Sequence, residues 1–215
     1  MKKLLLASNG DAVIKWGEEV FEKPLSKMKM VYITTAMKAV EDIDYVLARR
    51  KYFQKNNYHF REIDITGKTP AEIEKIFTGQ EAVYVEGGNT FYLLKQMKES
   101  GFDKIIGKLV DEGLIYISSS AGSYVACPTI EPAEWKRKET IDRFGLKNLS
   151  ALNLVPFLLV AHYAPRWQKI IQKSIQESTY PVRILRDGQA LLVEGEGVVF
   201  LGEDEVKISY HSISS

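Results

Sequence analysis

The sequence predicts a three-layer α/β protein, with a mostly parallel sheet, helices on both faces and an antiparallel edge near the C-terminus. Apolar strand segments alternate with amphipathic helical segments over the first 150 residues, and this order implies parallel strands joined by right-handed helical crossovers. After residue 150, short strands separated by glycine turns imply antiparallel pairing. No linker or repeat interrupts the pattern, so residues 1–215 are interpreted as one domain.

The individual elements follow from composition and periodicity. The predicted parallel strands are apolar and lie at residues 3–8, 30–35, 58–65, 82–85 and 114–117. The predicted helices lie at 11–22, around a face of Ile43, Val46 and Leu47, from Thr69-Pro70 onward, at 89–101 and at 102–110. In the second half, a helix around 167–175 is flanked by short strands at 158–160, 182–185, 190–193, 198–201 and 206–209.

Composition and charge exclude several classes of partner. The chain has 29 basic and 28 acidic residues without a long run of one sign, which argues against binding to nucleic acid or a membrane surface. No apolar stretch approaches the roughly 20 residues of a transmembrane helix. The single cysteine, Cys127, excludes an internal disulfide and is typical of a reducing compartment. We therefore expect a cytoplasmic protein that is a monomer or a homodimer.

The run at residues 114–128 is typical of a nucleophile elbow, in which a strand turns sharply into a helix. The apolar strand Leu114–Ile117 gives way to small residues at 118–122, and a helix-compatible pattern follows. Ser120 stands at the bend, where a side chain is pushed out of the sheet, and it is the candidate nucleophile. The alternative is that Ser120 only caps the following helix.

A serine nucleophile needs a base, and histidine is the usual one. The chain has three histidines. His59 lies within an early strand and His211 lies in the C-terminal tail, whereas His162 follows an apolar strand at the expected carboxyl end of the sheet. Because open α/β sheets place their sites at that end, His162 is the candidate base.

The remaining groups of a serine-hydrolase site also have candidates. Gly87 and Gly88 follow a strand and allow close approach of the backbone to a substrate, while Asn89 and Thr90 begin the helix behind them. The second oxyanion donor is expected to be the N–H of Ala121. For the acid, Asp187 is favoured, although an Asp-Gly hairpin turn explains it equally well.

Glu131 and Glu134, just after the elbow helix, are the competing acids. The sequence predicts neither a metal nor a cofactor, because His and Cys residues are not clustered with ligand spacing.

Four segments carry a resemblance to a known family: EGGNTFYLL (86–94), SSAGSYVACPTIE (119–131), LNLVPFLLVAHY (152–163) and RDGQALLVEG (186–195). Together they resemble the peptidase E and cyanophycinase family of serine peptidases, whose fold is similar to that of class I glutamine amidotransferases. The resemblance implies that Ser120 is the nucleophile and His162 the base, with Gly88 and Ala121 as oxyanion donors. It also implies that Asn89 and Thr90 contribute to the substrate pocket, where the flexible backbone of Gly87 is expected as well.

The chain departs from the family pattern at two places, one of which bears on activity and the other on specificity for aspartyl substrates. Ser118 stands where the family's elbow usually has glycine, which predicts backbone strain there. Family members that cleave after an N-terminal aspartate bind its carboxylate through an arginine beyond the histidine. In this chain the arginines beyond His162 include Arg166 and Arg183, and neither stands at a matching position.

We therefore expect a serine peptidase acting on short peptides, with aspartyl dipeptides or isopeptides as candidate substrates, through an acyl-enzyme. The alternatives are a silent relative that binds a small peptide or amino acid, and an amidotransferase-like or esterase hydrolase.

Overall fold

The alternating strands form a seven-stranded sheet in the computed structural model, which describes residues 1–136 and 142–208. The strands of this sheet are β1 (Lys3–Ala7), β2 (Met30–Ile33), β3 (Phe60–Ile63), β4 (Ala82–Val85), β5 (Ile115–Ser119), β8 (Ala190–Glu194) and β9 (Gly197–Leu201). Their order across the sheet is β3-β2-β4-β5-β1-β8-β9. The first five are parallel, and β8 and β9 add an antiparallel edge beside β1. The predicted fold class is confirmed.

Helices cover both faces of this sheet. They are α1 (Gly10–Glu19), α2 (Asp44–Lys55), α3 (Pro70–Phe77), α4 (Thr90–Ser100), α5 (Phe102–Asp111), α6 (Ala121–Val125), α7 (Pro132–Trp135) and α8 (Gln168–Glu177). Successive residues of β1 enter opposite cores: Leu4 packs with the core beneath α3 to α6, and Leu5 with the core beneath α1 and α2. The central strands are apolar on both faces because each face is buried under helices.

The second half of the chain pairs differently from the prediction. The strands β6 (Leu158–Val160) and β7 (Val182–Ile184) pair with each other in a separate two-stranded parallel sheet, connected through α8. The free edge of β1 is occupied by β8, so β6 has no place in the main sheet. Residues 206–208 are not a strand, and position 209 and His211 lie outside the described residues.

The buried face of α2 also differs from the prediction. The sequence predicted Ile43, Val46 and Leu47 as one face, but the structure buries Val46, Arg49 and Phe53 and leaves Leu47 43% exposed. Val46 lies on the predicted face and on the observed one, whereas the prediction for Leu47 is wrong, because the face that meets the sheet includes a charged residue. Arg49 pairs with the buried Glu86 and the exposed Asp11, as described below.

Candidate active site

Ser120 lies at the junction between β5 and α6 in a strained backbone conformation. Its φ of +46° and ψ of −107° lie in a region that non-glycine residues rarely adopt. The main chain holds this bend, because the Ser120 N–H donates to the carbonyl of Ala7 at 3.0 Å. The Ser120 side chain makes no capping hydrogen bond to α6. The hydroxyl therefore points away from the helix, against the interpretation that Ser120 is only an N-cap.

The residues on either side of Ser120 differ in what the bend requires of them. Ser118 lies within regular β5 and its hydroxyl is 2.9 Å from that of Ser123, so the predicted strain at Ser118 is wrong. The positive φ belongs to Ser120 instead. Gly122 is the glycine that the bend needs, because a Cβ there would lie 2.2 Å from the carbonyl oxygen of Val85.

The structure brings Ser120, His162 and Asp187 into one hydrogen-bonded chain. The distance from Ser120 Oγ to His162 Nε2 is 2.8 Å, and that from His162 Nδ1 to Asp187 Oδ1 is 2.6 Å. His162 follows β6 and Asp187 follows β7, so the two-stranded sheet places both residues at the carboxyl edge of the main sheet. The hydrogen bond with His162 lowers the pKa of the Asp187 carboxyl below its usual value.

A serine that the sequence analysis missed completes this cluster. Ser8 follows β1 and is fully buried. Its hydroxyl accepts a hydrogen bond from the N–H of His162 at 2.8 Å and donates one to Asp187 Oδ1 at 3.0 Å. The available signal was positional, since Ser8 ends a parallel strand at the edge where the other site residues were expected.

The competing carboxylates lie elsewhere. Glu134 forms two hydrogen bonds with Arg143, at 2.7 and 2.8 Å. Glu131 is exposed at the start of α7. Among residues 1–136 and 142–208, Asp187 is the carboxylate within hydrogen-bonding distance of the His162 ring.

The two glycines after β4 lie against the elbow. A Cβ on Gly87 would be 3.2 Å from the Cβ of Ser120, and a Cβ on Gly88 would be 2.5 Å from the carbonyl oxygen of Ala36. Gly88 also has a φ of +139°, so both its conformation and its surroundings require glycine. The N–H of Gly87 is used internally by Glu86 and Ser119, at 2.9 and 3.1 Å.

The two predicted oxyanion donors have no acceptor among the described residues. The N–H groups of Gly88 and Ala121 donate to no residue in the described part of the chain. Asn89 and Thr90, which were expected in the pocket, lie behind it. The Asn89 side chain accepts hydrogen bonds from the N–H groups of Phe91 and Tyr92, both at 3.0 Å, and so caps α4.

A cavity of about 350 Å³ opens beside Ser120. Its lining includes several charged and polar residues and comprises Asn9, Gly10, Asp11, Val40, Asp42, Tyr45, Arg49, Glu86, Gly87, Gly88, Ser119, Ser120 and His162. The arginine in this lining is Arg49, from α2. Arg166 lies over the ring of Trp167, and Arg183 pairs with Glu205 at 2.6 Å.

No group of three or more His, Cys, Asp or Glu residues is arranged to hold a metal ion in the described ranges. In the same ranges, no helix has the length and apolar character needed to cross a membrane.

Comparisons with known proteins point to one family. An uncharacterized peptidase of Pasteurella multocida (strain Pm70) is 32% identical over 208 residues, which cover 94% of this chain and 98% of the relative. Peptidase E of Nostoc sp. is 33% identical over 168 residues, covering 75% of this chain and 66% of the relative. A crystal structure of a Listeria monocytogenes EGD-e protein assigned as peptidase E covers 96% of this chain and 100% of its own, with a TM-score of 0.81 and 30% identity.

The family assignment rests on nearly the whole chain. The sequence model of peptidase family S51 matches residues 4–201, which reach into every strand of the main sheet and contain the three hydrogen-bonded residues at its edge. The resemblance found in the sequence and the predicted enzyme class are both confirmed. The chain belongs to peptidase family S51, the peptidase E family of serine peptidases.

Proposed function

We propose that the protein hydrolyses short peptides through an acyl-enzyme on Ser120, with His162 as the general base and Asp187 as the orienting acid. The observation that carries the proposal is the hydrogen-bonded chain of 2.8 and 2.6 Å that joins the three side chains beside an open cavity. A nucleophile, a base and an orienting carboxylate within hydrogen-bonding reach form the arrangement that activates a serine hydroxyl.

The reaction follows from these positions. The Ser120 hydroxyl attacks the substrate carbonyl while His162 Nε2 takes its proton. The oxyanion that forms accepts hydrogen bonds from the N–H groups of Gly88 and Ala121, which have no other use among the described residues. His162 then protonates the leaving amine as the peptide bond breaks. Water attacks the acyl-enzyme while His162 Nε2 takes its proton, and His162 returns that proton to Ser120 Oγ as the acyl product leaves.

The size and position of the cavity favour small substrates. A volume of about 350 Å³ is at the lower end of the range for small-molecule sites and suits a dipeptide or short peptide better than a folded protein. The single cysteine is buried and unpaired, which favours the cytoplasm as the place of this activity.

A panel of short substrates tests the proposal. Wild type and Ser120→Ala are assayed side by side on α- and β-aspartyl dipeptides, neutral dipeptides and a p-nitrophenyl ester, with Ser118→Ala as the matched control. We expect peptide turnover in wild type and in Ser118→Ala, and none in Ser120→Ala. Turnover of the ester alone would favour the esterase hypothesis.

The binding-protein hypothesis makes a different prediction in the same experiment. A silent relative would bind a dipeptide in a calorimeter without cleaving it, and Ser120 would not react with a fluorophosphonate. The hydrogen bond from Ser120 to His162 argues for reactivity, since a binding residue has no need of an activating base. The amidotransferase-like hypothesis calls for a cysteine at the elbow. Ser120 occupies that position instead, and the one cysteine of the sequence, Cys127, is buried.

A further inference from the structure

Glu86 is a buried carboxylate immediately before the glycine pair that lies against the elbow. It follows β4 and is only 2% exposed. Its Oε1 accepts hydrogen bonds from the N–H of Gly87 at 2.9 Å, from the hydroxyl of Tyr84 at 2.8 Å and from the hydroxyl of Ser119. Its Oε2 accepts one from the hydroxyl of Tyr32 at 2.7 Å. All four neighbours donate, so both oxygens of Glu86 act as acceptors.

The contacts of Oε1 join two segments that the sheet itself leaves apart. Pairing between β4 and β5 ends at Val85 and Ser118. Beyond that point, the Ser119 hydroxyl donates to Glu86 and accepts the N–H of Gly87 at 3.1 Å. Side chains therefore continue the connection from the end of the ladder to the loop and the elbow.

This connection sets a tight distance between the two segments. Gly87 precedes Gly88, the proposed oxyanion donor, and Ser119 precedes Ser120, the proposed nucleophile. Gly87 and Ser120 are already so close that a Cβ on the glycine would lie 3.2 Å from that of the serine. Any movement of Gly87 relative to Ser119 would change where the Gly88 N–H points with respect to the Ser120 hydroxyl.

A buried negative charge beside an oxyanion site opposes catalysis unless it is balanced, because the transition state carries negative charge too. Arg49 provides that balance. Its Nε lies 3.8 Å from Glu86 Oε2, and its Nη2 lies 3.2 Å from Asp11 Oδ1. The positive charge lies on the Oε2 side, whereas Oε1 faces the loop and the elbow. Glu86 can hence bind the backbone of the loop while its charge is balanced.

We propose that Glu86 is a positioning residue for the peptidase reaction. Through Oε1 it fixes the Gly87–Gly88 loop to the Ser119–Ser120 elbow, and so sets the geometry of the oxyanion donor relative to the nucleophile. The inference rests on the proposed function of Ser120 and Gly88.

The variant Glu86→Gln tests this role, because the amide replaces one acceptor oxygen with a donor among groups that already donate. We expect kcat to fall by about a hundredfold or more, as for loss of an oxyanion donor, and KM to change by less than about threefold. The affinity of a peptide aldehyde should fall in parallel with kcat/KM, because its adduct with Ser120 occupies the same oxyanion position. A purely structural defect would instead lower the active fraction without changing this affinity.

Two further variants keep the test decisive. Ser119→Ala removes the bridging hydroxyl and leaves Glu86 in place, so it should lower kcat in the same way, and the double variant should lose less than the product of the two effects. Tyr58→Phe is the matched control, since it removes a hydroxyl that donates to the carboxylate of Glu18 at 2.7 Å, far from the elbow. We expect Tyr58→Phe to lose stability but keep kcat within about twofold.

The rate at which a fluorophosphonate labels Ser120 tests the role of Glu86 separately from the proposed peptidase function, because the phosphoryl oxygen of the reagent occupies the oxyanion position. Labelling and turnover in wild type, with both unchanged in folded Glu86→Gln and Ser119→Ala, would overturn the role of Glu86 alone. No labelling and no turnover in wild type would overturn the proposed function, and the role of Glu86 with it.

Discussion

The hydroxyl of Ser8 donates a hydrogen bond to Oδ1 of Asp187 at 3.0 Å, although 179 positions separate the two residues in the chain. The same hydroxyl accepts the main-chain N–H of His162 at 2.8 Å. One buried group at the end of β1 therefore fixes both the carboxylate and the backbone of the histidine to which that carboxylate bonds. Through Ser8, the small sheet that carries the proposed base and acid is held against the main sheet that carries Ser120.

Replacing Ser8 by alanine should weaken catalysis without removing any reacting group. The His162 N–H and the Asp187 carboxylate each lose a partner, and the imidazole loses its fixed position. Because a displacement of about 1 Å costs about a hundredfold, we expect kcat/KM to fall tenfold to a hundredfold. Steady-state kinetics of Ser8→Ala measure this. The control is Ser123→Ala, which removes another buried hydroxyl that donates to the carbonyl of Ala7; equal losses in both variants would contradict the role of Ser8.

The three candidate acids can be separated by removing their charges one at a time. Asp187→Asn keeps the shape of the side chain but favours the wrong tautomer of His162, and we expect kcat to fall by about a thousandfold or more. Glu134→Gln and Glu131→Gln should keep kcat within about twofold, because Glu134 bonds Arg143 and Glu131 is exposed. A large loss in either glutamate variant, with Asp187→Asn active, would reverse the assignment.

The pKa of Asp187 predicts the shape of the activity profile in acid. The His162 hydrogen bond holds this pKa below the usual value of 3.8, so the carboxylate remains ionised at every pH above that value. We therefore expect protonation of Asp187 to contribute no loss of kcat/KM above pH 3.8 and to add a loss below it. The pH profiles of kcat/KM for wild type and Asp187→Asn measure this. A fall in the wild-type profile between pH 5 and pH 4 that is absent from Asp187→Asn would contradict the depressed pKa of Asp187.

The same shift has a consequence for stability. A carboxyl with a depressed pKa in the folded state stabilises the fold at pH values above its unfolded pKa, and this contribution is lost as the pH falls through the folded pKa. For Asp187 the loss therefore belongs below pH 3.8. The difference in thermal stability between wild type and Asp187→Asn should accordingly be the same at pH 7 and pH 5 and should shrink below pH 3.8, which thermal unfolding at each pH would show.

The parts of the site that the sequence predicted are those with a local signature. Ser120 stands at a strand-to-helix turn through small residues, and Gly88 stands where a strand meets a capped helix, so each could be recognised from neighbours in the chain. His162 and Asp187 were placed by their position after strands, although the sheet they belong to was not predicted. The pairing of β6 with β7 depends on which edge of β1 is already occupied, and no local pattern records that.

The residues that were missed support the site from a distance. Ser8 and Glu86 act through hydrogen bonds to segments far away in the chain, and a single serine or glutamate at a strand end carries no distinctive pattern. Arg49 was hidden for a related reason, because an arginine on a buried helix face breaks the apolar periodicity that identifies the face. Its partner Glu86 explains the burial, and only the folded structure brings the two together.

The geometry of the elbow predicts opposite effects on activity for substitutions at Ser118 and at Gly122. Ser118→Gly should keep kcat within about twofold, since Ser118 has an ordinary strand conformation, and should lower stability by removing a buried hydroxyl bonded to Ser123. Gly122→Ala should abolish activity or folding, because the new Cβ would lie 2.2 Å from the carbonyl oxygen of Val85. Kinetics and thermal unfolding of both variants measure this. Higher activity in Ser118→Gly would show that Ser118 restrains the elbow after all.

Cys127 predicts how the native protein responds to thiol reagents. The side chain is fully buried, and burial raises the pKa of its thiol to about 12, so almost no thiolate forms at neutral pH. Iodoacetamide should therefore leave both Cys127 and peptidase activity unchanged in the folded protein, while a fluorophosphonate removes activity. In denaturant, the thiol should become reactive because unfolding exposes it to solvent. Since Cys127 is the one cysteine of the sequence, labelling reports on this residue alone.

Mass spectrometry of the alkylated protein across a urea titration measures both states, with Cys127→Ser as the control that identifies the labelled residue. Inactivation of the folded enzyme by iodoacetamide, accompanied by labelling of Cys127, would mean that this thiol reaches the substrate. That result would favour a cysteine nucleophile over Ser120, because the thiolate is the reactive form and must be exposed to attack.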